Sequence, residues 1–342
     1  MEHQPGRARL EALTARGRAL LGTEVAILGG AMTWVSERHL VAAISNAGGF
    51  GVIACGSMGP DLLAAEIEAT RARTDRPFGV NLILMHPELD ALIERCVALA
   101  VTHVVFAGGV PTREQIARAK AGGATVIAFA PSAAIGKRLV KGGVDGLVIE
   151  GAEAGGHIGP VSTSVLAQEI LPAIEEVPVF VAGGIGHGEA MAAYLNMGAA
   201  GCQLGTRFVC AEESIAHANF KRAFIKGNAR DAQPSVQVDP EFKVIPVRAL
   251  SNRATERFQH IQVETIRRYR AGEIGYDAAA LAIEHFWAGA LRRAVIDGDV
   301  DEGSLMAGQS VGMVKAIEPV QQIIDTLVAQ AVTALGRTER AA

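Results

Sequence analysis

Short apolar runs, each closed by glycine or a polar cap and followed by residues of helical periodicity, repeat along the first two-thirds of the chain. Glu24-Val-Ala-Ile-Leu28 leads into Gly29-Gly-Ala-Met32 and a helix expected over 36–47 with Ser36 as its N-cap. Phe50–Ala54 precedes a helix near 60–72, Phe78–Ile83 one near 87–99, His103–Phe106 one near 112–121, and Ala124–Phe129 one capped by Ser132. Asp145–Ile149 runs into a glycine-rich loop, Val177–Val181 into Gly183-Gly-Ile-Gly-His187, and Ala200–Leu204 is the eighth run. Runs apolar throughout suit strands buried on both faces, as in a parallel sheet. Eight βα units over about 180 residues predict an α/β chain folded as a TIM (β/α)8 barrel, whose active site is built by the loops after the strands. A doubly wound sheet is the alternative, but the even spacing and the lack of an early G-x-G-x-x-G turn favour the barrel.

Beyond residue 209 the rhythm breaks. A polar helical stretch over 211–228 gives way to an irregular segment from Pro234 to Pro246, then to helices expected over 252–271, capped by Ser251 or Asn252, and 277–297. The expected division is a barrel over 1–208 completed by 300–342, with 209–299 as an inserted, mainly helical subdomain over the barrel mouth. Residues 303–335 are expected to return as the last barrel helices. Leu10, Leu13, Leu20 and Leu21 mark one face of a helix that caps the barrel ahead of its first strand.

Composition narrows the function. The 342 residues hold 39 glycines and 5% aromatics, in keeping with glycine-rich strand-to-helix turns. A formal charge of −4, with Lys and Arg scattered instead of gathered in a stripe, gives no footprint for nucleic acid. Arg248, Arg253, Arg257, Arg267 and Arg268 read as a solvated basic face, with contact to an acidic or phosphate-bearing substrate as the competing reading. Cys55, Cys96, Cys202 and Cys210 lack the close spacing of a zinc or iron–sulfur site, so they are expected to be buried thiols and no metal is expected. Without a membrane-length apolar run or a signal sequence, no membrane partner and a cytoplasmic location are the expectation.

The chemistry concentrates in Glu150-Gly-Ala-Glu-Ala-Gly-Gly-His-Ile-Gly-Pro160. Gly155 and Gly156 allow backbone to approach a flat ligand, leaving His157 as the reactive side chain of the loop. A lone histidine beside glycines is more often a structural, hydrogen-bonded residue, so the catalytic reading needs support from elsewhere. Two further loops supply it. Gly183-Gly-Ile-Gly186 after the seventh strand and Gly205-Thr-Arg207 after the eighth lie where barrels bind phosphate through backbone amides.

Six motifs now resemble one family in order and spacing: Gly29-Gly-Ala-Met-Thr-Trp34, Ala47-Gly-Gly-Phe-Gly51, Gly79-Val-Asn81, Glu150–His157, Val181-Ala-Gly-Gly-Ile-Gly186 and Gln203-Leu-Gly-Thr-Arg-Phe208. Over 24–320 the chain is similar to the FMN-dependent nitronate monooxygenases (2-nitropropane dioxygenases), a family that includes flavin-dependent enoyl-ACP reductases. The resemblance implies an FMN with its phosphate against Gly183, Gly184, Gly205 and Thr206. Its ring would lie near Gly30, Ala31, Met32, Gly155 and Gly156, and its pyrimidine edge or ribityl chain would meet Asn81 and Glu150. His157 matches the family's active-site histidine, and Met306–Ser310 resembles a segment that folds back over the flavin in this family, which implies a contact from Gln309. The implied activity is oxidation of alkyl nitronates with O2. The alternatives are an NAD(P)H-dependent enoyl-ACP reductase, an acyl-ACP dehydrogenase or isomerase, and an NAD(P)H:quinone reductase. The implied partners are NADH or NADPH as electron donor, a small-molecule or acyl-thioester substrate, acyl carrier protein and a second copy in a homodimer.

Two departures bear on this. Ala130-Pro131 stands where many nitronate monooxygenases carry a lysine. The stretch Arg230–Asp239 with Val247-Arg-Ala-Leu250 is closer to the acyl-ACP branch, yet lacks the cysteines that some of its members use for an iron–sulfur cluster. An inosinate-dehydrogenase-like barrel would need a cysteine in the loop after strand six, where this chain has His157. A metabolite-binding barrel without turnover is separated from the enzymes by whether its bound flavin can be reduced.

Overall fold

The computed structural model describes residues 5–239, 242 and 244–339. Eight parallel strands form the barrel: β1 (Ile27–Gly29), β2 (Gly51–Ala54), β3 (Phe78–Ile83), β4 (His103–Ala107), β5 (Thr125–Phe129), β6 (Gly146–Glu150), β8 (Val179–Ala182) and β9 (Gly201–Leu204). A two-residue strand, β7 (Gly156–His157), comes between the sixth and seventh barrel strands and belongs to another sheet. The barrel order is β1-β9-β8-β6-β5-β4-β3-β2, and a parallel bridge from Leu28 to Phe50 joins the two ends. The fold is a TIM barrel.

Alternation along the strands sorts the residues into two cores. Leu28, Phe50, Val52, Val105, Ile127, Val148 and Phe180 fill the barrel, while the intervening residues pack outward on the helices. The helices start where their sequences allow. Thr112 and Gln115 form a capping box for α5 (Arg113–Ala121), and Ser132 caps α6 (Ala133–Gly142). Ser36 does not cap α2 (Arg38–Asn46): Glu37 does, accepting from the amides of His39 and Leu40. The Ser36 hydroxyl instead donates to Gly30 O at 2.8 Å and accepts from Met32 N at 3.0 Å, bracing the loop after β1.

Helix α1 (Pro5–Leu21) ends under the N-terminal side of the barrel, where Leu20 and the fully buried Leu21 join the inner core. The buried His103 packs edge-on against Phe50, donates from Nε2 to Leu20 O at 2.9 Å, and has Nδ1 3.0 Å from Thr102 Oγ1. Phe220 and Phe224 of α10 (Ala218–Lys226) extend the outer core. Past them, α11 (Arg253–Arg270, capped by Asn252) and α12 (Tyr276–Arg292) share a separate aromatic cluster in which the Phe258 and Trp287 rings lie 4.2 Å apart. A π-helical turn, Arg293–Asp297, follows. The helices expected over 303–335 are instead an extended stretch bridging Met306 to Ala249, a 3-10 turn at Gln309–Met313, and one helix, α13 (Val320–Glu339). No helix among the described residues is long and apolar enough to cross a membrane.

Candidate functional site

The phosphate-type loops are built by close approach. Gly183 (φ +93°) and Gly184 (φ +72°) are left-handed, and a Cβ on either would come within 3.0 Å of Gly151 O or Glu153 Cβ. Only glycine lets this loop close on the loop after β6. Among the described residues, the amides of Gly183, Gly184 and Gly205 donate to no other group, and Thr206 opens the short helix α9 (Thr206–Val209). Gly30 N donates to Leu204 O at 2.8 Å, and the Cβ positions of Gly30 and Gly205 face Gly205 Cα and the Met32 sulfur at 3.4 Å. The seventh and eighth loops thus present unused amides at one end of the barrel, with the first loop packed beside them, a donor set that fits an anionic group beside a flat one.

Three polar side chains occupy the inner face at that end. Leu28, Gln203, Ala182 and Glu150 stand in register across four adjacent strands, and Leu28 and Ala182 belong to the inner core, so Glu150 and Gln203 share their face. Asn81 is buried, in register with the inward Val105, whose carbonyl accepts from its Nδ2 at 3.0 Å. Glu150 is half-buried, and loss of hydration alone pushes its carboxyl up to about 7. Ala31 packs on the inner core, Met32 on the outer.

The loop after β6 is held on every side. Glu153 accepts from Thr163 N at 2.8 Å and Thr163 Oγ1 at 2.9 Å, capping α7 (Thr163–Ile170). A Cβ on Gly155 would sit 2.5 Å from Gly308 N; Gly308 N donates to Thr206 Oγ1 at 2.9 Å and Gln309 N to Glu153 O at 2.9 Å. The Met306–Ser310 segment therefore lies on Gly155 and Thr206. Gly156 and His157 pair antiparallel with Arg248 and Val247 of β11 (Val247–Leu250), whose other edge takes β10 (Ala232–Pro234). His157 is exposed, in the strand pair with β11 and outside the barrel sheet that carries Asn81, Glu150 and Gln203.

Arg248 is a correction to the sequence reading. It is 7% exposed, and its guanidinium donates to Ala152 O and Ala232 O, so it belongs to no solvated basic face. Arg257, Arg267 and Arg268 meet Glu302, Glu264 and Glu273 at the surface. Gln203 and Trp34 stand inside two of the quoted motifs, but the sequence reading gave neither a role in the site. The signal for Gln203 was its place between Cys202 and Leu204 in an apolar strand. Trp34 has a positive φ of 67°, an indole Nε1 buried without a partner among the described residues, and the Arg292 guanidinium 5.8 Å from its ring centroid. All four cysteines are buried, and burial drives Cys55, Cys96 and Cys202 to about 12.

A cleft of about 660 Å³ opens at the opposite end, beside Gly22, Arg76, Phe78 and His103. Two of its polar groups are taken: Arg76 pairs with Glu24 at 3.0 Å and His103 with Leu20 O. The N-terminal end of such a barrel serves stability, the opposite end chemistry.

The family model for nitronate monooxygenase matches residues 16–95 and 89–330. FabK from Thermotoga maritima is 35% identical with a TM-score of 0.86, covering 96% of this chain and 99% of its own. A 5-hydroxy-7a-methyl-1-oxo-octahydroindene-4-carboxyl-CoA dehydrogenase of Rhodococcus jostii is 29% identical over 92% of this chain and 94% of its own length. A nitronate monooxygenase of Paraburkholderia phytofirmans is 31% identical over 62% of this chain and 70% of its own. With these matches and the barrel-mouth site in hand, the chain belongs to the nitronate monooxygenase family and is a flavin-dependent oxidoreductase.

Proposed function

We propose that this enzyme uses FMN to reduce an acyl thioester of the enoyl type, with NADH or NADPH as electron donor. The observation that carries this reading is the pairing of β11 with Gly156–His157, which ties chain from beyond the barrel to the loop that bears His157. It is supported by the similarity to FabK and to the CoA dehydrogenase over nearly the whole chain, where the nitronate monooxygenase of Paraburkholderia covers 62%. Nitronate oxidation with O2 is the second reading, favoured by the family model itself.

FMN, when bound, supplies two-electron transfer between the nicotinamide donor and the substrate double bond. The amides of Gly183, Gly184 and Gly205 with the Thr206 hydroxyl would hold its phosphate. Gly30, Ala31, Met32, Gly155 and Gly156 would admit its ring, and Asn81, Glu150 and Gln309 would fix its orientation. His157 would hold or release the substrate proton, a task suited to imidazole. Residues 1–208 with 300–342 make the barrel in this proposal, and 209–299 a mainly helical subdomain over its mouth, supported by the separate Phe258–Trp287 core. The acyl carrier is acyl carrier protein or CoA, the assembly a homodimer and the compartment the cytoplasm.

The test is anaerobic mixing of the purified protein with NADH, NADPH, an alkyl nitronate and an enoyl thioester in turn, following flavin absorbance. Bleaching by a nicotinamide and recovery on adding the enoyl thioester are expected. Bleaching by the nitronate alone would transfer the assignment to nitronate oxidation, and a chain that takes up no flavin would end both.

A further inference from the structure

Among the described residues, Glu150 is the one carboxyl on the barrel's inner face at the mouth, and none of them sets a cation against it. Its neighbours in register are Ala182 and, one strand further, Gln203. The nearby charges are committed elsewhere. Glu153 is turned to Thr163, Arg248 is spread over Ala152 O and Ala232 O, and Arg207 of α9 is paired through Nη2 with Glu318; its Nη1 is buried without a partner among the described residues, but no charge on it reaches the Glu150 carboxyl. His157 is exposed outside the barrel sheet, and the Cys202 thiol is buried on the outer face of β9 and stays protonated. Burial alone acts on the carboxyl, and it favours the uncharged form.

A neutral acid and a carboxylate make opposite hydrogen bonds: the acid donates one proton, the ion only accepts. We propose that Glu150 meets the flavin as the neutral acid, donating its proton to a carbonyl of the pyrimidine edge, so that ionisation of this single side chain loosens the cofactor. The inference rests on the flavin reading above and adds a direction to it. If Glu150 instead accepted from a flavin N–H, ionisation would tighten the complex.

The experiment is flavin release from the full-length holoprotein, read by recovered fluorescence on dilution between pH 7 and 9.5. The phosphate of FMN, with its second ionisation near 6, stays dianionic across this range. Release should become about tenfold easier per pH unit once Glu150 ionises, while Glu150→Gln, which keeps a donor and cannot ionise, should hold flavin evenly throughout. Parallel profiles for the two proteins, or tighter binding at high pH in the wild type, would overturn the proposal. Should the variant fold poorly, the sign of the wild-type slope decides. A protein that binds no flavin at any pH removes the cofactor reading itself, an outcome distinct from flavin bound with a flat profile.

Discussion

Arg248 Nε donates to the carbonyl of Ala152 at 2.8 Å, tying β11 to the loop after β6. Its Nη1 donates to Ala232 O at 2.6 Å, so one planar side chain spans that loop and β10. Removing it strands two carbonyls, each worth roughly 1–3 kcal/mol when unsatisfied and buried. Arg248→Ala should therefore lower the melting temperature and expose the 150–157 loop to protease. Arg248→Lys, with one ammonium for two acceptors, should fall between. A melting curve and digestion rate matching wild type for both would show that the loop needs no such tie.

Gly184 allows a sharper test of the cofactor loop. A side chain there would have to adopt φ +72° and crowd Glu153 Cβ at 3.0 Å, a strain on the order of 1–3 kcal/mol. Gly184→Val should cut the FMN retained per protein, read from the visible-to-ultraviolet absorbance ratio. Unchanged retention would place the phosphate elsewhere.

The barrel was legible in the sequence because strands buried on both faces leave continuous apolar runs, as at 104–107 and Val179–Ala182. Arg248 was misread because its carbonyl partners, Ala152 and Ala232, lie 96 and 16 residues away, and charge in an unfolded string looks solvated. Ser36 was taken for a cap because local rules favour serine; its tie to Gly30 across a turn prevails. The stretch through Met306 has a helical composition but spends its backbone on β11 and on Glu153, contacts absent from any local window. For His157 the loop was readable, while its pairing opposite Val247 was not.

His103 makes stability depend on acid. Burial lowers its affinity for a proton in the folded state, and its Nε2–H is committed to Leu20 O. The unfolded chain then binds the proton more readily, so stability is full above the ordinary histidine range near 6.5 and is lost as pH falls through it. Urea unfolding at pH 7.5, 6.5 and 5.5 should show that decline, and His103→Gln should flatten it while lowering stability at every pH. An equal slope in the variant would move the effect to other groups.

His157→Ala is expected to separate grip from chemistry. The groups assigned to the cofactor are backbone amides, the Thr206 hydroxyl, Gln309 and inner-face side chains, and the residue opposite Val247 is not among them. FMN content should therefore stay near that of the wild type. Turnover of a thioester needs a proton delivered alongside the electrons, and loss of a positioned acid typically costs about 10²–10⁴-fold. Stopped-flow reoxidation of the reduced flavin by an enoyl thioester, normalised to flavin content and followed from pH 5 to 9, reads this directly. An inflection in the wild-type profile that disappears in His157→Ala supports proton transfer by the imidazole. If the ring only braces the strand pair with β11, melting temperature and FMN content should drop together while the rate per bound flavin and its pH profile stay as they were.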